Sequence, residues 1–248
     1  MEASRIAAES PAKAAAPSDS IIKVLVGVKL LEGVGKEGLE GIAKNCRYKR
    51  FPTQQQIFDR NSRTSDVFFV IRGRVRVVNY SLSGREITLD DIADGGNFGE
   101  LAAIDGEPRV ATVMTLTESL IVALPRPRFL EAIEKNPVIA HNVMTYLAKL
   151  VRVSTERIMD LSTLGANNRV HADLFRQAQA GAVTGNEAVI NPMPVHGDIA
   201  SRVSTTRETV ARVMNELARK SVVERKKDVL VIRDVQRLRK MVEEVRGE

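Results

Sequence analysis

Apolar positions change their spacing twice along the chain, and each change marks a new kind of structure. From Ile21 to Cys46, IIKVLVGVKLLEGVGKEGLEGIAKNC has apolar residues at steps of three and four, interrupted by glycines. That pattern predicts short helices. From Tyr48 to Pro125 the period shortens to two. VFFVIRGRVRVVNY holds two apolar-rich runs hinged at Arg72-Gly73, and SLSGREITL turns at Ser83-Gly84. Val110 to Thr117 and Leu120 to Leu124 give a further pair of strands around a Thr-Glu-Ser turn. Short strands at this spacing, without crossover helices, predict an antiparallel barrel, roll or sandwich. NFGELAAIDGEPRVAT, Asn97 to Thr112, is the one segment that interrupts them.

From Pro127 the helical period returns, with a short helix ending near Asn136-Pro137 and a long one over roughly Val138 to Leu164. Met144, Leu147, Val151, Ser154, Ile158 and Leu161 recur at alternating steps of three and four, a coiled-coil seam of about three heptads. Such a helix either lies on its own domain or pairs with a second copy. Its length and the polar Ser154 on the seam point to pairing. Gly165-Ala166-Asn167-Asn168 predicts a hinge, Arg169 to Gly181 a helix, and AVTGNEAVINPMP a loose connection. A short helix carrying Ile199, Ala200 and Val203 then turns at Ser204-Thr205. Thr206 is placed to cap a helix from Arg207 to Lys220 whose buried stripe is Val210, Val213, Met214 and Leu217. VVERKKDVLVI follows as a β-hairpin.

Composition narrows the function classes. The 248 residues suffice for one large domain or two small ones. The single cysteine, Cys46, leaves no internal disulfide, CxxC motif or iron–sulfur cluster, which fits a reducing cytoplasm. No apolar run approaches the roughly 20 residues that span a bilayer. The first 20 residues, MEASRIAAESPAKAAAPSDS, lack an apolar signal core and predict a disordered leader. Charge is unevenly placed. Val195 to Lys240 holds 12 Lys and Arg against 6 Asp and Glu, so the chain's net +6 resides there. That is the footprint of a small DNA-binding domain.

The candidate chemistry is of two kinds. Gly33-Val34-Gly35-Lys36-Glu37-Gly38 is formally a dinucleotide fingerprint, but strands rather than a βαβ unit follow it, so a loop between short helices is expected. In NFGELAAIDGEPRVAT, Glu100 follows a glycine and Arg109 lies beyond an Asp-Gly-Glu-Pro turn. The pair admits three readings: catalytic acids with Asp105, a structural salt bridge, or a clasp for a ligand with hydroxyls and negative charge. His141, His171 and His196 all lie outside this segment, and no metal-ligand or nucleophile–base spacing appears. No enzymatic activity or metal is expected. On the C-terminal helix Arg207, Glu208 and Arg212 fall off the buried stripe near its N-terminal end. Arginine there can read guanine and glutamate can accept from cytosine, while Lys226 and Lys227 at the hairpin tip suit phosphates. An ordinary charged surface helix is the plainer alternative.

TTRETVARVMNEL is similar to the helix-turn-helix signature of the Crp/Fnr superfamily of bacterial transcription regulators. FGELAAIDGEPRVAT resembles the phosphate-binding cassette of cyclic-nucleotide-binding domains. The resemblance runs from about Ile21 to Ile232 and implies an α+β fold. Its expected parts are a cyclic-nucleotide-binding antiparallel β-roll over 21–136, a dimerisation helix and hinge over 137–165, and a winged helix-turn-helix over 166–248. It implies that Glu100 accepts from the ribose 2′-hydroxyl and Arg109 pairs with the phosphate. Phe98, Gly99, Leu101, Val110 and Ala111 then supply walls and backbone contacts. LAKLVRVSTERIMDL matches the stretch in which cyclic-AMP-responsive members place adjacent hydroxyls on adenine, here Ser154 and Thr155; fixing helix register is the rival role for Ser154. Four positions depart from the pattern. Val110 stands where a serine holds phosphate, Leu150 where an arginine stands, Gly95-Gly96 where Gly-Asp is usual, and Ser204 where the turn glycine belongs. The expectation is a cytoplasmic homodimer, without membrane contact, that binds cyclic AMP and then DNA with TGTGA-like half-sites, with RNA polymerase as a further partner. Base readout falls to Arg207, Glu208 and Arg212, assisted by Thr206, Lys226 and Lys227. Response to cyclic GMP or to no nucleotide, or a nucleotide module acting on a protein partner, are the alternatives.

Overall fold

The computed structural model describes residues 18–246. Residues 1–17 of the expected leader lie outside that range, and the last three leader positions open helix α1 (Ser18–Leu25). A 3-10 turn at Lys29–Leu31 and α2 (Lys36–Ala43) follow. Gly33 to Gly35 is the link between them, and Gly33 takes a φ of 78° in it.

Eight strands form the roll: β1 (Arg47–Phe51), β2 (Gln56–Phe58), β3 (Val67–Arg72), β4 (Arg74–Tyr80), β5 (Glu86–Ala93), β6 (Asn97–Phe98), β7 (Thr112–Thr115) and β8 (Ser119–Leu124). They pair antiparallel in two four-stranded sheets, β1-β8-β3-β6 and β2-β7-β4-β5. Alternation along β3 explains how the first sheet serves two cores. Val67 and Phe69 face α1, α2 and the helices that follow the roll, packing on Leu25, Leu39, Phe129 and Ile139. Val70 points the other way, onto Phe51, Val75, Phe98, Val113 and Ile121 between the sheets. The short α3 (Glu100–Asp105) interrupts the strands between β6 and β7.

Beyond the roll, α4 (Arg126–Lys135) runs into α5 (Pro137–Thr163). Asn136 joins them: its side chain accepts from the Val138 N–H at 3.0 Å, and Pro137 supplies a first helical residue that needs no partner for its nitrogen. At 1.5 Å per residue α5 is about 40 Å long. Met144, Val151 and Ile158 on its seam are 61, 64 and 62 % exposed within one chain. Leu147 instead packs partly on the chain's own core. The hinge is shorter than expected. Leu164 and Gly165 make it, and Ala166, Asn167 and Asn168 already form the first turn of α6 (Ala166–Ala180).

The C-terminal domain has its own core and contains three elements that sequence pattern did not reveal. The stretch expected to be loose is a hairpin, β9 (Ala182–Thr184) and β10 (Glu187–Ile190), turned at Gly185 with φ 62°. After α7 (His196–Arg202) and α8 (Arg207–Arg219) come β11 (Val223–Arg225) and β12 (Leu230–Ile232), giving one sheet of order β11-β12-β10-β9. The tail is α9 (Val235–Arg246), which buries Leu238 and Val242 against the domain. None of the described helices is long and apolar enough to cross a membrane.

Candidate functional site

The cassette is built around one glycine. Strand β6 pairs with β3 through Phe98↔Phe68 and Asn97↔Phe69, and the chain then turns at Gly99 with φ 83°. A side chain there would be strained twice. The backbone is left-handed, and a Cβ would lie 2.6 Å from Arg109 Nη1 and 3.0 Å from the Asp66 carbonyl. Glycine therefore lets the arginine close over the start of α3. Gly106, φ 79°, ends that helix, and Asp105 accepts from the Glu107 N–H at 2.9 Å to set the turn that returns the chain to Arg109.

Arg109 is 2 % exposed. Its Nη1 donates to the Gly99 carbonyl at 2.7 Å, Nη2 to the Asp66 carbonyl at 2.7 Å and Nε to Thr64 Oγ1 at 3.0 Å. The guanidinium lies 4.2 Å from the centre of the Phe58 ring and 5.6 Å from that of Phe68. Burial pushes its pKa below the ordinary arginine value, partly opposed by Asp66 and Glu100. Of the five N–H donors of a guanidinium, these bonds engage three, which leaves two for an anion. Glu100 is 5 % exposed and accepts from Asn97 Nδ2 at 3.2 Å. Burial pushes its carboxyl above the usual range, against the pull of a backbone N–H and Asn97. The Tyr146 hydroxyl of α5 faces the same carboxylate, and burial together with Glu100 and Asp90 raises the phenol's pKa. Glu100 and Arg109 thus spend their hydrogen bonds on different partners, which is not the arrangement of a simple salt bridge.

The other expected ligand residues are distributed around this pair. Phe98 is buried, its ring stacked 5.0 Å from Phe68. Ala111 is buried, Leu101 half-buried, and Val110 exposed with its carbonyl accepting from Asn79 Nδ2 at 3.2 Å. Ser154 and Thr155 are exposed on α5, and Thr155 returns its hydroxyl to the Val151 carbonyl at 2.9 Å. In one chain the α5 side chain that faces Glu100 is Tyr146. Sequence pattern missed Tyr146, Thr64 and Asp66, which join the site through tertiary contact, and Asn97, which reaches Glu100 from three positions away within the cassette.

The second site is the exposed end of α8. Thr206 caps it, its Oγ1 accepting from the Thr209 N–H at 3.2 Å. Val210, Val213, Met214 and Leu217 are buried, and Arg207, Glu208 and Arg212 are exposed on the opposite side. Hydrogen bonds from its own backbone N–H and from Thr206 hold the Glu208 carboxyl below its ordinary value. The preceding turn places Ser204 at φ 51°, in the left-handed region. Arg169 braces it, donating to the carbonyls of Val203 at 2.8 Å, Ser204 at 3.1 Å and Leu164 at 2.8 Å. Lys226 and Lys227 stand exposed at the tip between β11 and β12.

Both candidate sites lie in regions that match known domain families. Residues 48–136 match the model of the cyclic nucleotide-binding domain, and residues 168–241 match that of the Crp-like helix-turn-helix domain. The chain belongs to the Crp/Fnr superfamily of transcription regulators. It is 29 % identical over 199 residues to the cyclic AMP receptor protein of Thermus thermophilus, across 79 % of this chain and 88 % of that one. Two solved structures are similar to this Crp-family chain. The catabolite activator protein of Thermus thermophilus is 27 % identical with a TM-score of 0.51, over 88 % of this chain and 99 % of that one. A CooA variant from Carboxydothermus hydrogenoformans has a TM-score of 0.73 at 22 % identity, over 86 % of this chain and 94 % of that one.

Proposed function

We propose that this Crp-family chain is a homodimeric regulator that binds cyclic AMP in its β-roll and, when liganded, binds palindromic DNA with TGTGA-like half-sites. The observation that carries the reading is the separation of Glu100 from Arg109. A buried carboxylate with spare lone pairs and a buried guanidinium with spare donors lie on one cassette, within reach of each other's charge, with their hydrogen bonds directed to other partners. A ligand that carries a hydroxyl beside a single negative charge satisfies both, and a cyclic nucleotide presents those groups together. The likeness to the Thermus thermophilus cyclic AMP receptor protein supports adenine as the base.

The exposed apolar seam of α5 supports a dimer in which Ser154 and Thr155 meet the base from the two protomers. Ligand binding acts as a switch to the extent that it favours one arrangement of the helices. That arrangement sets the two α8 helices about 34 Å apart, in successive major grooves. Arg207, Glu208 and Arg212 read the bases, and Thr206, Lys226 and Lys227 hold phosphates. RNA polymerase is the expected further partner.

A second reading draws on Arg109 itself. Three bonds to its own chain could make it a structural brace, in a regulator that answers cyclic GMP or no nucleotide. Calorimetric titration of the intact protein with cyclic AMP and with cyclic GMP separates the readings. Micromolar or tighter binding of cyclic AMP, lost in Glu100→Gln, supports the clasp. Preference for cyclic GMP, or binding of neither, refutes the cyclic AMP assignment. Site selection from a random duplex library tests the DNA half, and half-sites without the G·C positions would refute it. Arg212→Ala should cost about 1–3 kcal/mol and relax preference at one position.

A further inference from the structure

The helix-turn-helix is docked on the β-roll of its own chain by contacts that neither site requires. Arg76 on β4, 6 % exposed, donates to both Asp91 oxygens at 2.7 and 2.8 Å and to Asp198 of α7 at 2.7 Å. One turn along α7, Ser201 Oγ meets the buried Thr88 Oγ1 of β5 at 2.7 Å. Arg85, beside the tip of the β4–β5 hairpin, donates to the Thr205 carbonyl at 3.3 Å, one residue before the cap of α8. Arg157 of α5 reaches both sides. It donates to the carbonyls of Thr88 (2.7 Å) and Leu89 on β5, and to that of Arg202 (3.1 Å) at the end of α7. Arg202 itself pairs with Asp173 of α6 at 3.1 Å and lies 3.7 Å from Asp91.

Three features make this contact more than packing. None of the apolar clusters among the described residues spans the two domains, so bonds that water can replace hold them together. The hairpin reaches the turn in front of α8, beside the helix end that has to enter a groove. Arg157 stands two positions beyond Thr155 on the same helix, and its bonds straddle the domains. A shift of α5 against the roll cannot preserve both sets.

We infer that the docking of α7 on β5 is an intramolecular latch, which holds the recognition helix in a position dictated by the roll and opens when α5 moves. The latch rests on the reading of α8 as the DNA-binding helix. Its release frees two recognition helices to adopt the spacing of the grooves, and nucleotide binding shifts the balance through Arg157.

The direct test is a reversible cross-link, Thr88→Cys with Ser201→Cys, whose side chains replace hydroxyls already in contact. Cys46 is a poor competitor, because burial pushes its thiol up to about 12. The probe is a labelled duplex carrying the TGTGA palindrome, titrated with and without cyclic AMP. Oxidation should lower DNA affinity at least tenfold in both conditions, and dithiothreitol should restore it in the same sample. Equal binding by the oxidised and reduced forms overturns the latch alone, as does failure of the cross-link to form. If wild-type protein binds DNA in no condition, the DNA-binding reading falls and takes the latch with it. Asp198→Asn gives a second measure. It should raise nucleotide-free affinity towards that of liganded wild type and leave liganded affinity unchanged. An equal gain in both states would reflect only the lost negative charge and count against the latch.

Discussion

Arg109→Ala tests whether the cassette is held open by the residue that is to receive the ligand. The change removes three hydrogen bonds from a charged donor and leaves the Gly99 and Asp66 carbonyls without that partner. Bonds to charged groups contribute about 1.5–3 kcal/mol each. Against that stands relief of the cost of burying the guanidinium, several kcal/mol for a group so enclosed. A net loss of about 3 kcal/mol is expected, near the lower end for breaking a buried charged contact. For a protein of this size that lowers the melting temperature by roughly 6–12 °C. Scanning calorimetry of the full chain, following the transition of the β-roll, is the assay. Arg109→Lys should lose most of the same stability, because a single ammonium cannot span the three acceptors. Cyclic AMP at about 100 times its dissociation constant should add about 2.7 kcal/mol to wild type and nothing to the alanine variant. A ligand-free Arg109→Ala protein melting within about 2 °C of wild type would refute the argument, since those bonds would then support nothing.

Glu100→Gln should separate stability from binding. Burial places the folded-state pKa of Glu100 above its ordinary value of 4.5, so the folded chain holds the proton more tightly than the unfolded one. Stability is then lost as pH rises from the ordinary value through the raised one. The ligand-free glutamine variant should melt above wild type at neutral pH, with the gap closing below about pH 4, while its affinity for cyclic AMP falls. Ser204→Gly should stabilise the C-terminal domain by about 0.5–1 kcal/mol in urea titrations, by relieving a left-handed serine, and Ser204→Val should destabilise it. If the chain pairs through α5 as proposed, Val151→Asp with Ile158→Asp should sediment as a monomer where wild type sediments as a dimer. Because both positions are exposed in the single chain, the melting of its roll should be nearly unchanged.

Local grammar made much of this protein legible. The cap at Thr206, the stripe from Val210 to Leu217 and the strands either side of Gly73 each follow from residues within a few positions of one another. The cassette was legible for the same reason, since Gly99, Glu100 and Arg109 occupy one continuous segment. What escaped was of two kinds. Strand β9 is only Ala182–Thr184 and exposed throughout, too short to display a period. Gly165 ends the link between α5 and α6 as the cap of α6 rather than beginning a longer hinge, and the asparagines after it tolerate a first helical turn. Contacts such as Arg76 with Asp198, 122 positions apart, leave no trace in spacing at all.

The polar join between the two domains also has a thermal meaning. Unfolding either core exposes apolar surface and carries a large heat-capacity change, whereas parting α7 from β5 exposes mainly charged and hydroxyl groups. The balance between docked and free forms should therefore curve little with temperature. Ionic strength should act on it through Arg76, Asp91 and Asp198, to a degree damped by the burial of Arg76 in the docked form. A regulator built this way would shift its set point steadily rather than abruptly as the cell warms or cools, and would shift it again when the salt around it changes.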